Sequence, residues 1–335
     1  MYLNYFFIIF FVTLLFIQVF KSFAPAMGFI DIPNARSTHT RHTPRGAGIG
    51  FVLAIAIILP YFSSHLKFSY YWTILAMLSV FFIGFLDDYS NTTYRTKFLV
   101  IIAATILLFF DGIYIHNLGT FGNTTLTLGW FALPFSIFAV VGFTNALNLI
   151  DGIDGLSATI SIIILASFFV IGYTYDDFFI MLLSSAFFTA LLAFLLYNWH
   201  PASIFMGDSG SLTLGFVISI LSIKSLDYIP ATSILFITAI PIMDTILVML
   251  RRKRNKKPIF SPDKCHMHHI FKNFFENNTP KTVFALGMLQ AIYSLTGLQF
   301  TKSTNDGYTL ILFLLNIILV YLFLNTMIHK QGMEC

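Results

Sequence analysis

Long runs of apolar residues, each near the length of a bilayer-crossing helix, recur along the chain from one end to the other. A helix needs about 20 consecutive apolar residues to cross the hydrocarbon core. The pattern predicts eleven crossings, at residues 3–20, 46–62, 70–86, 98–112, 128–146, 156–173, 178–197, 211–225, 230–250, 283–299 and 307–328. Several runs are short or interrupted by glycine, so ten crossings are an alternative. The sequence therefore predicts an all-α, polytopic integral membrane protein with a single transmembrane domain over residues 1–335.

Charged residues are rare and unevenly distributed between the loops. The chain is 57% hydrophobic and 10% charged, whereas soluble domains carry about 25% charged residues. With the N-terminus in the periplasm, only Lys67, Lys224 and Lys302 of the 19 Lys and Arg lie in periplasmic segments, which leaves 19 − 3 = 16 in the cytoplasm. The positive-inside rule favours this orientation. We therefore expect a multi-pass protein of the bacterial inner (cytoplasmic) membrane, whose basic loops contact membrane lipids and no nucleic acid.

Polar segments on the cytoplasmic side carry most of the candidate chemistry. They are five loops, at residues 21–45, 87–97, 147–155, 198–210 and 251–282. Asp87 and Asp88 end the third predicted crossing, and two adjacent carboxylates cannot both ionise cheaply without a cation beside them. A solvated helix cap is the alternative for this pair. Because the five loops share one face of the membrane, we expect them to form a single active site there.

The segment after the fifth predicted crossing holds two amides and two acids spaced three residues apart: Asn145, Asn148, Asp151 and Asp154. This spacing places their oxygens along one face, and neighbouring glycines let the backbone approach a ligand closely. Buried amides and acids at a membrane surface need polar partners. A plain turn between two helices, which is the alternative, does not supply them. The segment therefore predicts a ligand-binding loop.

Asp208 opens the eighth predicted crossing in the sequence Phe205-Met206-Gly207-Asp208. Mg²⁺ prefers carboxylate oxygens and substrate phosphate and keeps its remaining waters, so one or two protein carboxylates suffice to bind it. Asp208 would also make a good cap for the following helix, and capping is compatible with metal binding. Asp208 is therefore the candidate ligand for Mg²⁺, with Mn²⁺ as a substitute.

The longest cytoplasmic loop follows a strongly basic run with three histidines, His266, His268 and His269. A zinc site is one interpretation, but a Zn²⁺ cage requires a fourth ligand of matching spacing. Among so many cations the histidines fit better as anion contacts or proton donors. The two cysteines, Cys265 and Cys335, lie in segments assigned to the cytosol, where disulfides are rare. We therefore expect no disulfide framework.

Taken together, these segments resemble the polyprenyl-phosphate N-acetylhexosamine-1-phosphate transferase family (glycosyltransferase family 4), and within it the GlcNAc-1-phosphate transferase group. The resemblance extends from about Asp31 to His269. It implies a catalytic set that meets the lipid phosphate, the donor diphosphate and the sugar: Asp87, Asp88, Lys97, His266, His268 and His269. It implies a nucleotide-sugar-binding set in which Phe205 stacks on uracil: Asn145, Asp151, Asp154, Phe205 and Arg45. The implied metal ligands are Asp208 and Asn148.

The resemblance implies a Mg²⁺-dependent transfer of a sugar-1-phosphate, GlcNAc-1-phosphate in the first place, from a UDP-sugar to undecaprenyl phosphate. The products would be undecaprenyl-diphospho-sugar and UMP, and the step would initiate O-antigen or another cell-envelope polysaccharide. The expected partners are undecaprenyl phosphate, a UDP-N-acetylhexosamine and membrane lipids, and a homodimer is left open.

Two alternatives follow from other features of the chain. The first loop, beginning Asp31-Ile32-Pro33-Asn34, resembles enzymes that use a UDP-deoxy-N-acetylhexosamine. A lipid or solute transporter is a remote alternative, because transporters place ionisable residues near the bilayer midplane and often contain inverted repeats. Here the acids lie at predicted helix ends on one side.

Overall fold

The computed structural model describes residues 2–33, 42–53, 55–56, 70–258 and 265–333, and over these residues the backbone is predominantly helical. Residues 48–53 and 55–56 are helical, and the other α-helices are α1 (Tyr2–Phe23), α2 (Tyr71–Ser90), α3 (Tyr94–Phe110), α4 (Ala132–Ile150), α5 (Leu156–Thr174), α6 (Phe178–Asn198), α7 (Gly207–Ser225), α8 (Ala231–Ile237), α9 (Ala239–Arg254), α10 (Met267–Phe274), α11 (Thr279–Gln299) and α12 (Asp306–Gln331). Two small antiparallel sheets pair β1 (Ile30–Asp31) with β2 (Thr43–Pro44) and β3 (Asn117–Phe121) with β4 (Thr124–Thr127).

Six helical segments in the described part of the chain are long and apolar enough to cross a membrane. They are Asn4–Phe23, Tyr71–Ser90, Gly129–Ile150, Leu156–Thr174, Phe178–Asn198 and Asp306–Gln331, and a seventh is obtained if α8 and α9 count as one span. The prediction of an all-α polytopic membrane protein is therefore confirmed. The number of eleven crossings stays a prediction, and the second of them, 46–62, lies partly outside the described residues.

The predicted crossing 230–250 is not one straight helix, since α8 and α9 meet at 84°. Gln290 of α11, which is fully buried, binds both sides of the break. Its Nε2 donates to the Ile237 carbonyl at 2.8 Å, and its Oε1 accepts from the Ile240 amide at 3.0 Å. A break inside an apolar environment leaves backbone groups that must find partners. The apolar pattern of this segment did not reveal the break, because the groups that stabilise it come from another helix.

Helix α7 lies at the centre of the bundle, packed against α2, α4, α5 and α6. Small residues bring the neighbouring backbones close to it. A Cβ added to Gly215 of α7 would lie 2.8 Å from the Cα of Thr144 in α4. A Cβ added to Gly84 of α2 would collide with the backbone of Asp208 and Ser209. Small residues at helix interfaces are the usual way to pack helices in membranes, and here they place the first turn of α7 between the loops that hold the polar motifs.

The C-terminal end of α12 returns to the side of α10, where Asn273 Nδ2 donates to Gln331 Oε1 at 2.9 Å. Cys265, directly before α10, is disulfide-bonded. The expectation of no disulfide is therefore wrong for this residue. Distance along the sequence suggested separated cysteines, and the packing of α10, which follows Cys265, against α12 was not visible in the sequence. Cys335 lies outside the described residues.

Candidate active site

A cavity of about 340 Å³ opens among the loops at one end of the bundle. Its walls come from the first loop, the end of α2, the α4–α5 loop, the segment before α7, and α10. The lining residues are Asp31, Arg45, Asp88, Asn148, Asp151, Gly152, Ile153, Asp154, Asn198, Phe205, Gly207, Asp208 and His269. The structure thus brings together residues from all five loops that the sequence analysis assigned to one site.

Asp88 caps the first turn of α7. Its Oδ1 accepts from the Asp208 amide at 2.8 Å and its Oδ2 from the Ser209 amide at 3.0 Å. A carboxylate at a helix N-terminus satisfies free amides and interacts favourably with the helix dipole. Gly207 allows this approach, since it has φ +73° and an added Cβ would lie 2.5 Å from Asp88 Oδ2. The capping role predicted as an alternative for Asp208 is thus filled by Asp88, which positions Asp208.

Lys97 connects Asp208 to the other acid of the pair. Its Nζ lies 2.7 Å from Asp208 Oδ2 and 3.3 Å from Asp87 Oδ1. Asn148 Nδ2 donates to Asp208 Oδ1 at 3.0 Å. Asp87 also accepts from Thr92 Oγ1 at 2.8 Å. Four residues predicted for the site, on four different helices or helix ends, therefore form one network centred on Asp208.

The α4–α5 loop supplies two acids to the cavity. Asp154 Oδ2 lies 2.7 Å from His200 Nδ1 and accepts from the Ala202 amide at 3.1 Å, which fastens the loop to the segment after α6. Burial, together with the negative charges of three neighbouring carboxylates, raises the pKa of Asp151 to about 7. Asn145, predicted for nucleotide binding, lies one turn before Asn148 and is not among the described residues that line the cavity.

Phe205 and Arg45 belong to two segments that pair by backbone hydrogen bonds. The Phe205 amide donates to the Pro44 carbonyl at 2.8 Å, and the Ala47 amide donates to the Phe205 carbonyl at 3.2 Å. Arg45 Nε donates to the Asp88 carbonyl at 3.1 Å, at the end of α2. Both side chains line the cavity. Residues 34–41 of the first loop, including part of the motif noted above, lie outside the described residues.

The three histidines have different environments. His269 lines the cavity, whereas His268 is 2% exposed and lies against Gly152, where an added Cβ would be 2.5 Å from His268 Nε2. Burial, with a smaller effect of His269, lowers the pKa of His268 to about 3, so the ring is neutral. His266 Nδ1 lies 2.6 Å from the carboxylate of Asp244. Within the described ranges no three His, Cys, Asp or Glu side chains are arranged to hold a metal, so the zinc interpretation finds no support there.

Four residues that shape the site were not predicted from the sequence. Asp244 lies in an apolar predicted crossing, where a lone acid is a signal for a functional role. Asp31 lies in a motif that the sequence analysis noted but did not assign to the site. Asn198 connects Gly155 and Ile204 by hydrogen bonds of 2.9 and 3.0 Å, and His200 pairs with Asp154. Asn198 and His200 gave no signal in the sequence, because polar residues such as Asn, or His followed by Pro, are common at helix ends.

The donor set of the cavity fits a hard divalent cation. Carboxylates of Asp88, Asp151, Asp154 and Asp208 line one small volume, and the pKa of Asp151 is raised first by burial and then by repulsion from the other three. Asp208 has oxygen lone pairs left after its bonds to Lys97 and Asn148. Mg²⁺ typically binds one or two carboxylates and completes its shell with water and phosphate, so Asp208 with the Asn148 amide oxygen is a sufficient protein contribution.

The chain is similar to proteins of one known family. The model of the family described as glycosyl transferase family 4 matches residues 70–226. A probable undecaprenyl-phosphate N-acetylglucosaminyl 1-phosphate transferase of Bacillus subtilis (strain 168) is 32% identical over 94% of this chain and 89% of its own length. An undecaprenyl-phosphate alpha-N-acetylglucosaminyl 1-phosphate transferase of Escherichia coli O157:H7 is 30% identical over 93% and 88%. A phospho-N-acetylmuramoyl-pentapeptide-transferase of Listeria innocua serovar 6a is 32% identical over 75% and 83%.

Proposed function

The chain belongs to glycosyl transferase family 4 as a polyprenyl-phosphate hexosamine-1-phosphate transferase, and from this we propose that it transfers GlcNAc-1-phosphate from UDP-GlcNAc to undecaprenyl phosphate. In this reaction an oxygen of the lipid phosphate forms a bond to the phosphorus that carries the sugar. The bond from that phosphorus to the bridging oxygen breaks, and UMP leaves with that oxygen. The product would be the first lipid-linked sugar of a cell-envelope polysaccharide, made at the cytoplasmic face of the inner membrane.

The observation that carries the proposal is the network around Asp208. The Lys97 ammonium lies between Asp208 and Asp87 at 2.7 and 3.3 Å, so a fixed cation is already present where a diphosphate would bind. Positioned charges of this kind stabilise the charge that develops during phosphoryl transfer. Asp88 directs both oxygens to α7 amides, so Asp87 is the member of the pair that we assign to the lipid phosphate and its proton.

The remaining residues hold the donor. Phe205 offers an aromatic face for uracil, while Asp151 and Asp154 face the nucleotide from the α4–α5 loop. His269 contributes a ring to the cavity wall, and we assign the sugar phosphate to it. We propose Mg²⁺ as the cofactor, held by Asp208 and Asn148. When bound, it would neutralise charge on the diphosphate and the leaving UMP.

The choice of GlcNAc as the donor sugar rests on two observations. The His266-Met267-His268-His269 sequence resembles the GlcNAc group, and the Bacillus subtilis and Escherichia coli relatives named above, which each match more than nine tenths of this chain, carry GlcNAc transferase names. A UDP-deoxy-N-acetylhexosamine is the second candidate, favoured by the Asp31-Ile32-Pro33-Asn34 segment. Transport receives no support, because the relatives are transferases and the acids of the cavity lie at one end of the bundle.

The test is an assay of the purified protein in detergent with undecaprenyl phosphate, Mg²⁺ and one UDP-sugar at a time. The panel contains UDP-GlcNAc, a UDP-deoxy-N-acetylhexosamine and UDP-MurNAc-pentapeptide, and both UMP and the lipid product are measured. We expect UDP-GlcNAc to turn over fastest, with activity lost in EDTA and restored by Mg²⁺ or Mn²⁺. Faster turnover of another donor would reject GlcNAc, and full activity in EDTA would reject the metal.

A further inference from the structure

Asp244 is a buried acid that the proposed reaction does not use directly. It lies in α9, after the 84° break, and is 1% exposed. Both of its oxygens point to the start of α10. Oδ2 lies 2.6 Å from His266 Nδ1, and Oδ1 accepts from the Met267 amide at 2.6 Å. A buried carboxylate is costly unless every oxygen has a partner, and here both partners belong to the histidine segment.

These two contacts fix the chemistry of His266 as well as its place. A carboxylate only accepts hydrogen bonds, so Nδ1 of His266 carries a proton, and of the two neutral tautomers only the one with Nε2 unprotonated fits this contact. The contact to Met267 caps the first turn of α10. A second residue of α9, Arg251, donates to the Cys265 carbonyl at 2.5 Å. Helix α9 therefore holds the histidine segment on both sides of His266.

Contacts between the histidine rings connect His266 to the cavity. The His266 and His268 rings stack with centroids 5.6 Å apart and an interplanar angle of 16°. His268 lies against Gly152 of the α4–α5 loop, and its ring centroid is 4.2 Å from that of His269, which lines the cavity. A rotation of His266 would therefore disturb the wall of the cavity on two sides.

We propose that Asp244 is the positioning residue of the histidine cluster: it holds His266 as the Nδ1–H tautomer, fixes the start of α10, and so presents His269 to the donor. The kinetic part of this inference rests on the proposed transferase function. Carboxylate partners that orient a histidine are worth about 10- to 100-fold in activity where they have been removed from metal sites, and we expect a similar loss here.

The kinetic test compares Asp244→Asn with the wild type. Asparagine keeps the shape but presents an N–H toward groups that are themselves donors, so we expect kcat to fall about 10- to 100-fold while KM for the UDP-sugar changes less than about threefold. Asp244→Glu, which keeps the carboxylate, should recover part of the loss. The matched control is Asp306→Asn, the same change at a 3% exposed acid that accepts from the Thr232 amide in the first turn of α8 at the opposite end, and its kcat should stay near that of the wild type.

A double-mutant cycle separates positioning from general destabilisation. If Asp244 acts through His266, Asp244→Asn combined with His266→Gln should be no slower than the slower single variant, because the two changes remove one interaction. Additive losses would overturn the proposal, as would an Asp244→Asn enzyme with the kcat of the wild type.

A measurement without substrate distinguishes this inference from the proposed function. ¹⁵N-histidine NMR of the wild type in detergent, with His266 assigned by its absence in His266→Gln, should show the Nδ1–H tautomer for His266. An Nε2–H tautomer would overturn the positioning role whatever the enzyme transfers. If no donor in the panel releases UMP, the proposed function fails, while the NMR result still decides the role of Asp244. Because this spectrum is recorded on the wild type, a poorly folded variant does not remove the test.

Discussion

Asp208 is the residue on which the site converges, since Lys97, Asn148 and the Asp88-capped turn of α7 all fix its carboxylate. Each of these contacts comes from a different part of the chain. A carboxylate held in this way has a low reorganisation energy during the reaction. Such preorganised charges are the basis of electrostatic stabilisation in enzymes.

The first prediction is that Asp208→Asn lowers UMP release about 10²- to 10³-fold, the usual loss when one strong charge-stabilising contact is removed. The amide is a poorer ligand for a hard cation, and it leaves Lys97 without its nearer carboxylate. The measurement is the rate of UMP release at saturating Mg²⁺. Asp227→Asn is the matched control, since Asp227 is 59% exposed and pairs with Lys224 on the predicted periplasmic side. Turnover of Asp208→Asn close to that of the control would remove Asp208 from the site.

The second prediction concerns the pH dependence of stability at His268. Its folded pKa is about 3 against an ordinary 6.5, so below pH 6.5 the unfolded chain takes up a proton that the folded protein does not. The stability from the neutral ring is complete above pH 6.5 and is lost as the pH falls toward 3, by about 1.4 kcal/mol per unit. At pH 5 this amounts to about 2 kcal/mol.

The measurement is the unfolding midpoint of wild type and His268→Gln in detergent between pH 7.5 and 5. The midpoint of the wild type should fall more steeply, so that any advantage it has over the variant at pH 7.5 shrinks at pH 5. His329→Gln, an exposed histidine in the last turn of α12, should follow the wild type. Parallel curves for wild type and His268→Gln would contradict the assigned burial of a neutral ring.

At the scale of elements, the contact between α2 and α7 determines whether the site can form. Gly84 lets α2 approach until Asp88 reaches the amides of Asp208 and Ser209. A side chain at this position would meet backbone atoms, which cannot rotate away. The close approach of two helices and the cap between them are therefore one structural feature.

The third prediction is that Gly84→Ala destabilises the protein by about 1–3 kcal/mol, the usual cost of overpacking, and lowers activity because the Asp88 cap is lost. Gly142→Ala is the matched control. Gly142 lies inside α4 with no heavy atom within 4 Å of an added Cβ, so alanine there should be neutral or stabilise by up to about 1 kcal/mol. Unfolding midpoints and UMP release of both variants test the prediction. Equal stability of the two would mean that α2 and α7 can separate without consequence.

Features that depend on local composition could be predicted from the sequence, and features that depend on contacts between remote residues could not. Apolar runs located the helices, because membrane burial dictates local composition. The motifs located Asp208, Asp88 and Asn148, because acids and amides are costly at these positions without a function. The break at Thr238 and the role of Asp244 were not predicted. Both depend on partners remote in sequence, Gln290 for the break and the α10 segment for Asp244, and no local pattern reports such contacts.

At the scale of the whole molecule, predicted cytoplasmic segments contact one another and predicted periplasmic segments do the same. At the end of the bundle opposite the cavity, Asp306 accepts from the Thr120 amide at 2.8 Å and from the Thr232 amide at 3.1 Å. These contacts join β3 to the first turns of α8 and α12, which begin at the predicted periplasmic ends of the crossings 230–250 and 307–328. This grouping fits the predicted alternation of loops between two faces, while the face on which the cavity lies stays a prediction from the distribution of Lys and Arg.

The last prediction is that the cavity faces the cytoplasm. In a variant with Cys265→Ser and Cys335→Ser, single cysteines at the exposed positions Ser90 and Lys281 should resist a membrane-impermeant thiol reagent in intact cells and react after permeabilisation. Cysteines at the exposed positions Asn123 and Ser303 should react in intact cells, because the predicted topology places them outside. A soluble UDP-sugar is made in the cytosol, so a cavity on the periplasmic side could not receive it. The opposite result would be labelling of Ser90→Cys and Lys281→Cys in intact cells, with Asn123→Cys and Ser303→Cys protected. It would reverse the predicted orientation and contradict a donor that comes from the cytosol.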